Sequence, residues 1–148
     1  MSDPADLTDL EAAALRMLLY GDYPALAHLR EQLETCRVAK RTMTGAGFYT
    51  DLDCAANPPP RLVFHATLGG VYAEIAGLEH GAGFVLWIEG GRLATLECFT
   101  YVGVWPEEVT GFELEYLHQD DLHTRPGGQT RDWAALEHDL MPGAPKQA

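Results

Sequence analysis

Leu10, Ala14, Met17 and Leu18 recur at helical spacing, with Leu15 and Leu19 widening the apolar stripe. This pattern predicts an amphipathic helix. Thr8-Asp-Leu-Glu11 just ahead of it is the S/T-x-x-E capping box that opens one. Gly21 reads as the C′ stop, where glycine takes a positive φ without strain. Asp22 reads as the cap of a second helix, with Pro24 in its first turn, where the missing N–H costs nothing. Leu26, Leu29 and Leu33 give that helix its apolar face.

After Cys36 the period changes to two. Arg37 to Met43 reads as a strand and Thr44-Gly-Ala-Gly47 as a turn. Phe48, Thr50, Leu52 and Cys54 then alternate with Tyr49, Asp51 and Asp53. Pro58 to Pro60 end that strand, because none of them can donate to a ladder. Leu62 to Leu68 and Val71 to Leu78 read as two further strands, with Gly69-Gly70 between them as a bulge or a hairpin turn.

Phe84 to Glu89 and Arg92 to Tyr101 flank Gly90-Gly91, a two-residue hairpin signal. An unbroken register from that turn sets Glu89 opposite Arg92, Trp87 opposite Ala94 and Val85 opposite Leu96. On the other face it sets Ile88 opposite Leu93, Leu86 opposite Thr95 and Phe84 opposite Glu97. Val102 to Glu108 is a loop. Phe112, Leu114 and Tyr116 alternate with Glu113 and Glu115 as a half-exposed strand. His118 to Gln129 reads as a polar linker, and Thr130 as the cap of a short helix with Trp133, Leu136 and Leu140 on one face.

Helices followed by consecutive strands with short connections mean an α+β fold with an antiparallel sheet. The expected architecture is one domain. An N-terminal αα-hairpin (1–36) packs on a curved antiparallel sheet of about six strands (37–117). A linker, a short C-terminal helix and a tail (118–148) complete it. The length of 148 residues suits a single domain of roughly 100–200 residues. Hydrophobic residues at 47% and charged residues at 22% are ordinary for a globular chain, which excludes a disordered one.

Charge narrows the partners. The net charge is −12, which repels phosphate backbones, so no nucleic acid is expected; it suits a basic protein partner, or solubility alone. No run is long and apolar enough to span a bilayer, so no membrane association is expected. The N-terminal residues have no apolar core of a signal peptide. The 3 cysteines, Cys36, Cys54 and Cys98, form no C-x-x-C pair. An odd count without that spacing argues against a disulfide framework and a zinc site, so the expected setting is a reducing cytoplasm.

No nucleotide-binding or hydrolase motif is present. The G-x-x-x-x-G-K-[ST], G-x-S-x-G and H-E-x-x-H patterns are absent, and Ser2 is the only serine. Cys54 and Cys98 read as small core residues rather than nucleophiles. His118-Gln-Asp-Asp-Leu-His123 has metal-binding residue types, but its spacing is that of a solvated loop. No catalytic residue, metal or cofactor is therefore expected.

Two features point to binding. Glu97, by the unbroken register, shares a face with Phe84 and Leu86, where a carboxylate must be paired or raised in pKa; the alternative is that a bulge turns it outward, or that it pairs with an arginine such as Arg41. Trp105 stands in a proline loop directly before Glu107 and Glu108, and a loop tryptophan flanked by charge suits a protein-binding hot spot; the alternative is that it caps the core beneath its own loop.

Gly81 to Glu97, then Thr100-Tyr101 and Trp105-Pro106, with Thr-Gly-Ala-Gly-Phe at 44–48, resembles a family of small bacterial proteins with no established activity. The resemblance covers about residues 35–110. It departs at Cys98-Phe99, where the family pattern has a glycine and an aromatic. Some small acidic α+β proteins of this kind are predicted immunity proteins of bacterial toxin systems. The −12 charge, the acid-rich segment from Glu107 to Asp121, the Trp105 loop and the absence of a catalytic motif agree with that analogy. Together they give the expectation of a non-enzymatic binding protein, an immunity-type inhibitor of a basic toxin or nuclease, with candidate binding residues Glu97, Tyr101, Trp105, Glu107 and Glu108. Two alternatives stand beside it. One is a small-ligand pocket or cryptic enzyme between sheet and helices, lined by Glu97, Tyr101, His65, Arg37 and Arg41. The other is a homodimer through an uncovered apolar sheet face.

Overall fold

The capping box forms as the sequence predicts. Thr8 accepts from the Glu11 N–H at 3.1 Å, and the Thr8 N–H donates to Glu11 Oε1 at 2.8 Å. It opens α1 (Asp9–Leu18), followed by α2 (Pro24–Leu33). The strands are β1 (Arg37–Met43), β2 (Gly47–Asp53), β3 (Ala66–Ile75), β4 (Ala82–Glu89), β5 (Arg92–Thr100), β6 (Phe112–Gln119) and β7 (Thr124–Pro126). A single 3-10 turn, Pro60–Leu62, precedes β3, and α3 (Trp133–Leu140) follows β7. The computed structural model describes residues 6–55, 58–119, 124–126 and 128–140.

The strands form one sheet in the order β1-β2-β5-β4-β3-β6-β7, every neighbouring pair antiparallel. The fold is α+β, as the pattern of helices then strands dictates. Leu10, Leu15 and Leu18 of α1, Leu26 and Leu29 of α2 and Leu136 of α3 are buried with the inward side chains Phe48, Val71, Phe84, Leu86, Ile88 and Leu96. α1 and α2 thus cover one face, and α3 packs against β3 with Leu136 in the same core.

Several local expectations are corrected. Leu62–Leu68 is not a strand of its own. Leu62 ends the 3-10 turn, Val63 to His65 are irregular, and Ala66 to Leu68 join Val71–Ile75 in one strand, β3, whose register shifts between Leu68 and Val71. Gly69-Gly70 is therefore a bulge and not a turn. His118 and Gln119 belong to β6, which extends the sheet into the expected linker; the rest of the His118–His123 segment lies outside the described residues. Tyr23, not Asp22, stands at the N-cap of α2, with Pro24 behind it as expected. Asp132 caps α3 in place of Thr130, accepting from the Ala135 N–H at 3.1 Å.

α1 also ends differently. Leu19 is its C-cap, so Gly21 lies past the C′ position. The helix's last carbonyls are taken by side chains. Arg131 Nη1 donates to Met17, Leu18 and Tyr20 O at 2.8–2.9 Å, and Arg30 Nη1 to Leu19 and Gly21 O. The Tyr116 hydroxyl adds a bond to Met17 O at 2.7 Å. Two guanidiniums at the negative end of a helix satisfy orphan acceptors and its dipole together.

The cysteine reading is overturned: Cys36 and Cys54 are joined in a disulfide, leaving Cys98 as the free thiol. Hairpin register explains it. Arg37 faces Asp53 at the open end of β1–β2, so Cys36 and Cys54 are the next pair along. This bond removes the cysteine argument for a reducing compartment. No described helix is long and apolar enough to cross a membrane.

Candidate functional site

The β4–β5 hairpin decides which carboxylate is buried. Its turn, Gly90-Gly91, has φ of +60° and +75°, the primed-turn conformation that glycine accepts. Ile88 pairs with Leu93 as expected, but one step on Trp87 pairs with Thr95. Ala94 is an extra residue, a bulge. Gln32 of α2, fully buried, meets it, donating to Gly91 O at 2.7 Å and accepting from the Leu93 N–H at 3.0 Å. Beyond the bulge every β5 side chain changes face. Glu97 therefore faces Val85 and Tyr49, not Phe84, and the expected buried carboxylate stands half-exposed on the outer face.

The buried carboxylate is Glu11, 0% exposed. Besides the Thr8 N–H it accepts from Arg41 Nε at 2.8 Å, Arg41 Nη2 at 2.6 Å and the Thr50 hydroxyl at 2.5 Å. Arg41 and Thr50 are cross-strand partners in β1 and β2, so both converge on it. Burial alone pushes the Glu11 carboxyl up; the hydrogen bonds from Arg41, Thr50 and Thr8 and the Arg41 charge outweigh it and hold the group below its ordinary value. The sequence does carry a signal for this role. Leu15 and Leu18 lie four and seven residues after Glu11, on the same helix face.

Beside this pair, at the end of the sheet, α1's first turn and the β5–β6 loop enclose a cleft of about 690 Å³. Trp105, Glu107 and Glu108 line it together with Leu7, Asp9, Arg41, Met43, Phe48 and Phe112. The Trp105 N–H donates to Gly45 O at 2.8 Å, and its ring meets Phe48 edge-on at 5.3 Å. The loop is thus tied to the β1–β2 turn and its indole fixed as a wall.

Glu97 and Tyr101 lie elsewhere, on the outer face. Tyr101 packs edge-on against Phe99 at 5.4 Å and stacks on Tyr72 at 6.1 Å. Gly83 makes room for this group: a Cβ there would stand 2.6 Å from the Tyr101 hydroxyl and 2.7 Å from the Phe99 ring. The departure from the family pattern at Cys98-Phe99 introduces no turn, since both residues continue β5. The Glu97 charge, with a little burial and a hydrogen bond, pushes the neighbouring Tyr49 phenol up.

The pocket expected around Glu97, Tyr101, His65, Arg37 and Arg41 is therefore not assembled. Arg41 alone reaches the cleft. His65 Nδ1 accepts from the Gly90 N–H at 3.3 Å, at the hairpin turn. Arg37 lies opposite Asp53 on the edge strand. Burial, with the Glu11 and Glu97 charges, pushes the Cys98 thiol up, which keeps it protonated and unreactive. Among the described residues no group of three His, Cys, Asp or Glu is arranged to hold a metal ion.

The architecture defines an α+β protein with helices packed on an antiparallel sheet and an acid-edged cleft at one end. No protein-family model, curated protein or solved structure matches the chain.

Proposed function

We propose that this is a non-enzymatic binding module that docks a basic protein on the outer face of its sheet, as an immunity-type inhibitor of a toxin does. The observation that carries the reading is the makeup of that face. Tyr49, Trp87 and Tyr101 are 40%, 40% and 46% exposed there, and Asp51, Glu97, Glu113 and Glu115 stand on the strands that bear or flank them. Exposed Trp and Tyr are the side chains that dominate interface energetics. Carboxylates between them draw a partner's Lys and Arg, whose cations also stack on the rings.

The same acids oppose pairing of two such faces, so charge disfavours a homodimer through them. The disulfide fits an oxidising setting better than the cytoplasm.

The test is affinity capture at low and high salt, with the captured protein identified and its binding reconstituted from pure components. Support is a basic partner whose affinity falls about thirtyfold, or about 2 kcal/mol, with Trp87→Ala and Glu97→Lys together. Trp105→Ala, on the opposite side of the sheet, leaves it intact. Absence of a partner at either salt, or one indifferent to the outer-face variant, overturns the reading.

A further inference from the structure

The cleft beside Trp105 is a second place where the molecule is built to receive something, and it lies on the opposite side of the sheet from the docking face. Its volume of about 690 Å³ is that of small-molecule sites, about 300–1,000 Å³. Its walls are apolar and aromatic: Trp105, Phe48, Phe112 and Met43. The Trp105 wall is pre-set by its backbone bond to Gly45 and its packing on Phe48, so a guest pays little to order it.

Charge selects the guest. Asp9, Glu107 and Glu108 are exposed around the opening. Arg41 is the one Lys or Arg among the lining residues, and its Nε and Nη2 are spent on Glu11 and on Asp6 O. The bidentate pair is neutral as a unit, so the cleft retains a net negative field. An anion would meet three carboxylates against one arginine, two of whose three nitrogens are already committed. A metal ion would find no set of three ligands arranged for it.

We infer that this cleft binds a small organic cation, a guanidinium or ammonium group on a short apolar stem. The stem packs on Phe48, Met43 and Phe112. The head lies against the Trp105 indole, which attracts cations through its ring quadrupole, and faces Glu107 and Glu108. Metal-free recognition of an amphipathic cation by an aromatic wall and a carboxylate rim requires no group beyond those present.

The probe is n-butylguanidinium, titrated into the isotope-labelled full chain and followed by amide and indole N–H resonances. n-Butylurea is the neutral control of the same shape, and butyrate the anionic one. The expected result is a saturable shift of the Trp105 indole signal, assigned through Trp105→Phe, together with the amides of the loop after it. Glu107→Gln with Glu108→Gln, both on an exposed loop, weakens binding at least about tenfold. Trp87→Ala on the outer face leaves it unchanged.

Butylurea binding as tightly as butylguanidinium overturns the inference. So does a titration that never saturates or never moves Trp105. The variants touch only the cleft, so these outcomes leave the outer-face docking reading separately testable.

Discussion

On the helix-covered face of the sheet, Glu11 is fully buried and accepts four hydrogen bonds, two of them from Arg41. On the uncovered face, Glu97 stands half-exposed beside Tyr49 and Val85. The contrast shows what a buried charge demands. Desolvating a carboxylate costs several kcal/mol unless fixed donors and an opposite charge meet it. Three separate elements supply them to Glu11: its own capping box, Arg41 of β1 and Thr50 of β2. Nothing comparable waits behind Glu97, and the bulge at Ala94 turns it toward water. The two faces thus differ: the inner one meets a desolvated charge with an arginine and fixed donors, while on the outer one Glu97 stays half in water.

The strongest test of that difference is Arg41→Met. It strands Glu11 without its counter-charge and is expected to cost about 3–5 kcal/mol in urea unfolding near neutral pH. The pH dependence has a definite sign. In the folded wild type the Glu11 carboxyl is held below its unfolded value of about 4.3. Its contribution is therefore complete above that pH and disappears as pH falls through the lower folded value. In the variant, burial acts without the opposing arginine and raises the group, so the deficit should shrink on acidification. A deficit that stays constant with pH would remove Glu11 from the account.

Next in size is the covalent tie between Cys36 and Cys54, whose sequence separation is 18. Closing such a loop restricts the unfolded chain by about 3 kcal/mol. The unfolding midpoint should drop in reductant for the wild type and not for Cys36→Ser with Cys54→Ser. Equal midpoints for the wild type with and without reductant would show that the pair contributes no tie.

The smallest effect belongs to Glu97→Gln, expected to shift stability by no more than about 0.5 kcal/mol, the scale of a surface change. It should also bring the Tyr49 phenol down toward its ordinary pKa, read from the Tyr49 ring signal as pH rises. A loss as large as that of Arg41→Met would place Glu97 in the core after all and dissolve the contrast between the faces.

Much of the framework was legible in local pattern. The capping box, the strand Arg37–Met43, the turn at 44–47 and the Gly90-Gly91 hairpin each follow from residues within one turn or one cross-strand pair. Of the candidate residues, the Trp105-Pro-Glu-Glu run stood out as a loop feature, but the cleft it lines was not legible; Trp105 packs against the core beneath its own loop, which was the alternative to a docking hot spot. The unbroken register put Glu97 on the wrong face, and the alternative of a bulge that turns it outward is the one that formed; neither Ala94 nor its neighbours mark the place, and a strand's period of two turns a single insertion into a change of face. Glu11, Gln32 and Arg131 went unread for a related reason. Each is polar, and each is buried only because its partners come from distant parts of the chain.

Sequence alone therefore determined the three helices, most of the strands, the α+β class and the acidity, because these depend on near neighbours and on composition; β7, inside the expected linker, was not among them. Tertiary structure alone decided which carboxylate is buried, which cysteines meet, and that Trp105 shares a cleft with Glu107 and Glu108 while Glu97 and Tyr101 face away. Those outcomes depend on register and on contacts between residues far apart in the chain, where one bulge or one strand neighbour changes the environment of every side chain beyond it.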